Sequence, residues 1–151
     1  MSKSTNDIQH QKDLYQYWLM EMGDRLDSFI ASMPRQLELD YSPESLLRLE
    51  SWILENYPTV KDIRKESEKL TLDALGRYVG EVYFRNLKVK WAFYLDDPEY
   101  VYYGLPSIKL PHEKVPTICP LTEVTASVDR KRGDYIYDLF QKTMKRLNGE
   151  D

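Results

Sequence analysis

Between residues 70 and 105 the hydrophobic period of the chain changes once, and that change leaves few folds open. Over residues 67–86, Leu72, Leu75, Val79 and Val82 recur at spacings of three and four, the stripe of an amphipathic helix. Beyond Leu87, Val89, Trp91, Phe93 and Leu95 alternate with Lys88, Lys90, Ala92 and Tyr94, the pattern of a strand with one buried face. Asp97-Pro98-Glu99-Tyr100 fits a type I turn, with Pro98 where its fixed φ is wanted. Tyr100 to Tyr103 is rich in strand formers and is expected to return antiparallel to the first strand. A long central helix feeding an aromatic hairpin is therefore predicted.

Two glycines, Gly76 and Gly80, lie one turn apart inside that helix. Each costs a helix interior about 1 kcal/mol relative to alanine, which implies an offsetting close approach of another backbone along that edge. A phosphate cradle would need them at a helix start after a strand. Arg77, Glu81 and Arg85 stand four apart, with Glu81 on the N-terminal side of Arg85, and read as a solvated ion-pair ladder.

On the N-terminal side, Tyr15, Trp18, Met22, Leu26, Phe29 and Met33 predict one helix over residues 7–33, stopped by Pro34. Ser42-Pro43-Glu44 opens a second helix carrying Leu46, Leu49, Ile53 and Tyr57. Thr59 and Asp62 have capping-box spacing. Four prolines between Gly104 and Pro120 exclude a helix there and leave room for short edge strands at 107–110 and 115–118. Leu121, Val124, Thr125 and Val128 suit a short helix, with a strand as the alternative. After the charged turn Asp129-Arg130-Lys131-Arg132-Gly133, Asp134 is placed to cap a last helix with Ile136, Leu139, Phe140, Thr143 and Leu147 on one face. The fold class is α+β: N-terminal helices, a long central helix, a small antiparallel sheet built on an aromatic hairpin, and a C-terminal helix. One domain spanning residues 1–151 is expected, with residues 1–7 flexible.

The chemistry is defined mostly by exclusion. The single cysteine, Cys119, rules out an intrachain disulfide. No apolar run approaches the ~20 residues that span a bilayer, and no signal-peptide core follows the polar start, so a cytoplasmic protein without membrane association is expected. A net charge of −4 argues against general nucleic-acid binding, and Arg130-Lys131-Arg132 reads as a solvated turn. No phosphate loop, serine elbow or dinucleotide fingerprint occurs, and neither a metal site nor a cofactor is expected. Cys119 and His112 are close enough in sequence to form a nucleophilic pair, but a lone cysteine ordinarily behaves as a small buried hydrophobe. Asp96, Asp97 and Glu99 lack the glycine and regular oxygen spacing of a calcium loop.

Tyrosine is the unusual residue, 12 against 3 Trp and 4 Phe, and its apolar body with a polar tip suits half-buried surfaces and interfaces. Tyr94, Tyr100, Tyr102 and Tyr103, beside Asp96, Asp97 and Glu99, are the candidate protein-binding residues: aromatic anchors with charges to steer a basic partner. The alternative is that the other helices cover these tyrosines. The run Gly76-Arg77-Tyr78-Val79-Gly80-Glu81, with Trp91, Asp97-Pro98, Tyr103-Gly104-Leu105-Pro106 and Cys119-Pro120-Leu121-Thr122, resembles small bacterial α+β proteins similar to immunity proteins of polymorphic toxin systems. The resemblance covers about the middle third of the chain. It implies a cytoplasmic protein that binds and blocks a cognate toxin, and it carries over no functional residue. Two other readings stay open: a small hydrolase or transferase using Cys119 with His112 or the acids near Asp97, and an oligomer-forming adaptor that self-associates through the wide apolar face of Trp18, Leu19 and Met20.

Overall fold

Helix α5, Lys69–Asn86, is the element around which the others pack. The computed structural model describes residues 5–149. Within them, α1 (Thr5–Met20), α2 (Met22–Ser32), α3 (Ser45–Asn56) and α4 (Val60–Ile63) precede α5. Strands β1 (Lys90–Phe93) and β2 (Pro106–Lys109) and helices α6 (Pro120–Arg130) and α7 (Tyr135–Leu147) follow it. The α+β class is the expected one, with a long central helix, a two-stranded antiparallel sheet and a C-terminal helix. Thr5, Asn6 and Asp7, expected to be flexible, form the first turn of α1, and residues 1–4 lie outside the described residues.

The core follows the predicted stripes. Leu75, Val79 and Val82 of α5 are buried with Leu46, Leu49 and Ile53 of α3, Val124 and Val128 of α6, and Ile136 and Phe140 of α7. Thr59 and Asp62 form the predicted capping box on α4, and the Ser42 hydroxyl accepts from the Ser45 N–H at the start of α3. Residues 120–130 are helical rather than extended, since Pro120 at the first position favours a helix start.

The two helical glycines have different reasons. A Cβ on Gly76 would stand 3.5 Å from the Leu121 backbone of α6, an ordinary contact. A Cβ on Gly80 would stand 2.0 Å from the Trp91 indole, so there the close neighbour is a ring from β1 and not another backbone. That indole donates from Nε1 to Glu81 at 2.9 Å and meets the Trp18 ring edge-on at 5.0 Å.

The Arg77–Glu81–Arg85 row is a solvated ladder only at its end: Arg85 is exposed and pairs with Glu81 at 3.3 Å as expected, but the other two members are buried. Arg77 is only 2% exposed. Its guanidinium donates to Asp73 (2.7 Å) and to the Trp18 carbonyl (2.7 Å), and lies 4.2 Å from the Trp18 ring centroid. Glu81 is also buried, taking Trp91 and Arg85 as partners. Trp91 of β1 meets Glu81, and Trp18 of α1 removes Arg77 from water. The same contact explains why residues 7–33 form two helices. The Trp18 carbonyl is the acceptor that an unbroken helix would offer to the Met22 N–H, and a side chain inserted into that ladder interrupts the helix at Glu21.

The hairpin is wider than predicted. Strand β1 pairs with β2, in the register Lys90↔Lys109, Trp91↔Ile108, Ala92↔Ser107 and Phe93↔Pro106. Residues 100–103, expected as the returning strand, instead form successive turns: Tyr100 N–H bonds Asp97 O, Tyr103 N–H bonds Tyr100 O, and Leu105 N–H bonds Tyr102 O. Gly104, at φ +69, then makes the left-handed step into β2. Strand propensity loses here because Tyr100 is held by ring contacts and by its hydroxyl's bond to the Pro116 carbonyl rather than by a ladder. The expected strand at 115–118 is reduced to a bridge between Ile108 and Ile118.

Helix α7 also begins differently. Asp134 makes no cap and pairs with Arg132 instead. The N–H groups of Tyr135 and Ile136 donate to the carboxylate of Glu50, fully buried on α3, at 3.1 and 2.8 Å. A remote acid thus satisfies the positive helix end.

Two predictions follow from this packing. Gly76→Ala should raise stability by about 0.5–1 kcal/mol through helix propensity, whereas Gly80→Ala should lower it by more than about 2 kcal/mol by displacing Trp91; urea denaturation of the two variants checks the contrast. Glu50→Ala should cost about 2–3 kcal/mol by orphaning two buried N–H groups, against less than about 0.5 kcal/mol for Asp134→Ala at its exposed pair, in the same assay.

Candidate functional site

The segment between the strands gathers the predicted binding residues. Tyr94 leaves β1, and its carbonyl accepts from Gly104 N–H at 3.0 Å, which pinches the loop shut one step beyond the sheet. Inside the loop, Tyr94 meets Tyr100 edge-on at 5.0 Å, and Tyr100 meets Tyr102 at 5.9 Å. The Tyr100 hydroxyl reaches across to the Pro116 carbonyl. Tyr94, Tyr100, Tyr102 and Tyr103 are all half-buried, so they support the loop from within. Its crest is Asp96, Asp97, Pro98 and Glu99, all exposed, followed by Val101 at 72% exposure. Asp97 accepts from the Glu99 N–H, fixing the turn, and among the described residues none of the three acids joins an ion pair. Desolvation, then the charges of Asp96 and Asp97, raise the Tyr94 hydroxyl above the ordinary tyrosine value. Residues 94–103 therefore form one contiguous acidic and aromatic loop, with the acids and Val101 outermost and the rings behind.

The Cys119–His112 pair does not form. Cys119 is buried at the foot of α6, its Sγ 3.9 Å from the Pro106 carbonyl, while His112 is exposed on a turn and shares no hydrogen bond with it. Among the described residues, no group of three or more His, Cys, Asp or Glu side chains is placed to hold a metal.

A second site escaped the sequence reading. Pro120 starts α6, and Glu123 on its first turn faces inward, 8% exposed. Tyr83 of α5, fully buried, points its hydroxyl at both carboxyl oxygens, 3.2 and 3.1 Å away. Glu123 lines a cavity of about 360 Å³ shared with Tyr102 from the loop and with Tyr135, Lys142, Thr143 and Arg146 of α7. Lys142 is paired with Asp138 at 3.1 Å. Arg146 is exposed and has no partner among the described residues. Burial pushes Glu123 up to about 8, opposed by its bond from Tyr83, and burial drives the Tyr83 hydroxyl upward in turn. Burial thus favours the neutral carboxyl of Glu123 at neutral pH, the form able to donate. The available sequence signal was its place on the wheel: the row Glu123–Ser127 flanks the buried row Val124–Val128.

No family model matches the chain, and neither a curated protein nor a solved structure does. Among the described residues, no helix is long and apolar enough to cross a membrane.

Glu123 gives a pH signature. Unfolded, it titrates near 4.5; folded, near 8. Between those values the folded state holds the extra proton, so its contribution to stability is complete below about 4.5 and is lost as pH rises toward 8. Glu123→Gln should remove a slope of up to about 1.4 kcal/mol per pH unit over that window; urea denaturation of wild type and variant at pH 5, 6, 7 and 8 measures it.

Proposed function

We propose that the chain is a non-enzymatic protein-binding protein that uses the loop between β1 and β2, in its most concrete form an immunity protein that occludes a cognate bacterial toxin in the cytoplasm. The observation that carries this reading is the exposed crest of Asp96, Asp97 and Glu99, unpaired among the described residues and followed by Val101. Uncompensated acids speed and orient the approach of a basic surface, while a rigid apolar and aromatic support limits the entropy lost on docking. The tyrosine ladder supplies that rigidity, since Tyr100 is fastened to the Pro116 carbonyl and braced by Tyr94 and Tyr102. Occlusion needs no catalytic group, which is consistent with the burial of Cys119 away from His112.

A second reading, an oligomer-forming adaptor, draws on α1, which leaves Leu14, Tyr17 and Met20 exposed although Trp18 turns inward to Asp73. Sedimentation at micromolar concentration separates the two: a monomer removes the adaptor.

The loop reading is tested by affinity capture from the native cell with wild type and with a Tyr94→Ala, Asp96→Lys, Asp97→Lys variant. The expected result is one stoichiometric, basic partner whose toxic activity is blocked in the complex and which the folded variant fails to retain. A partner held equally by the variant refutes the loop as the contact surface. Capture of no partner overturns the binding function itself.

A further inference from the structure

The cavity between α6 and α7 has a polar floor, aromatic walls and a positively charged mouth. At the floor, the one hydroxyl of Tyr83 faces both oxygens of Glu123 and can serve only one of them at a time. The other hydrogen-bonding position of a side chain that is more than nine-tenths buried is left to whatever enters the cavity. Tyr102 and Tyr135 supply flat walls. The first turn of α6 forms the adjoining side, and no side chain caps its amide groups. At the mouth, the Lys142 charge is answered by Asp138, whereas Arg146 has no counter-ion among the described residues. A volume of about 360 Å³ is in the range of small-molecule sites.

The sign of the charge selects the ligand. A guanidinium without a counter-ion among the described residues, a helix start without a side-chain cap and an acid that burial holds mostly neutral all favour a negative group and oppose an ammonium. A carboxylate has two oxygens in one plane, suited to accept from the Glu123 carboxyl and from the Arg146 fork, and the tyrosine walls require an apolar body behind it. We infer that this cavity is a binding site for a small organic carboxylate with an apolar body, held by Glu123 at the floor and Arg146 at the mouth. The site is separate from the acidic loop, touching it only through Tyr102, and does not depend on the protein-binding reading.

The probe is 4-fluorobenzoate, followed by its 19F resonance on titration of the intact chain at pH 7, with 4-fluorobenzylamine as the cationic counterpart. Saturable binding of the benzoate is expected, with a dissociation constant below about 5 mM, as suits a ligand of this size. Arg146→Glu, an exposed change that leaves the core untouched, should weaken binding at least about tenfold, the scale of one lost charge-assisted hydrogen bond. Glu123→Gln, whose amide still donates, should stay within about threefold of wild type, whereas Glu123→Leu should bind at least about tenfold more weakly. Absence of saturable binding overturns the inference, as does binding that Arg146→Glu or a folded Glu123→Leu leaves unchanged. Preference for the amine overturns it too, since the site would then be anionic.

Discussion

A buried guanidinium organises the N-terminal half of this protein. Arg77 keeps its charge out of water by donating to Asp73 and the Trp18 carbonyl and by lying over the Trp18 ring. Removing any one partner of a buried charge is costly, so the arrangement has little freedom. Trp18 is thereby fixed against α5, the α1–α2 helix is interrupted at Glu21, and the Trp18 ring is set where Trp91 packs against it at a steep angle. Trp91 in turn fits only because residue 80 has no side chain. Position 80 therefore governs how β1 joins the helical body, and with it where the loop after β1 emerges.

From that anchor the sheet divides its two faces by charge. Trp91 and Phe93 turn toward α1, with Phe93 stacked on Tyr15 at 4.6 Å. Lys90 stands opposite Lys109 on the other face, a like-charge pair that disfavours pairing with a further strand. Acidic groups collect at the far end of the same hairpin, in Asp96, Asp97 and Glu99. A chain of modest net charge thus carries strongly polarised local surfaces, and partner choice follows local potential more than the total.

The α6–α7 half uses acids differently. Glu50 stays buried because two N–H groups at the start of α7 supply its hydrogen bonds. Glu123 has only a phenol for a partner, and burial favours its neutral form. Two glutamates on helices, alike in sequence, become a structural cap and an open hydrogen-bonding group because their surroundings offer different donors. The first fastens α7 to α3; the second leaves a functional group unspent in a cavity.

Periodicity and capping chemistry are local, and they determined much of this protein: the helix stripes with Leu46, Leu75 and Val124, the box at Thr59 and Asp62, strand β1, and the grouping of Tyr94 with Asp96, Asp97 and Glu99. Such features depend on residues within a turn or two of one another. Tertiary structure decided the rest, because each remaining choice compared partners distant in sequence. Residues 100–103 became turns once Pro116 offered an acceptor and 106–109 offered the better ladder. Asp134 lost the cap of α7 to Glu50, and Arg77 left solvent because α1 brought Trp18 over it. Glu123 carries no local signal beyond its place on the wheel, and only the packing of α6 against α5 and α7 sets it between the Tyr83 hydroxyl and a cavity lined by Tyr102 and Arg146. A charged side chain's exposure is set by what packs over it, and that information is not carried by its own neighbours along the chain.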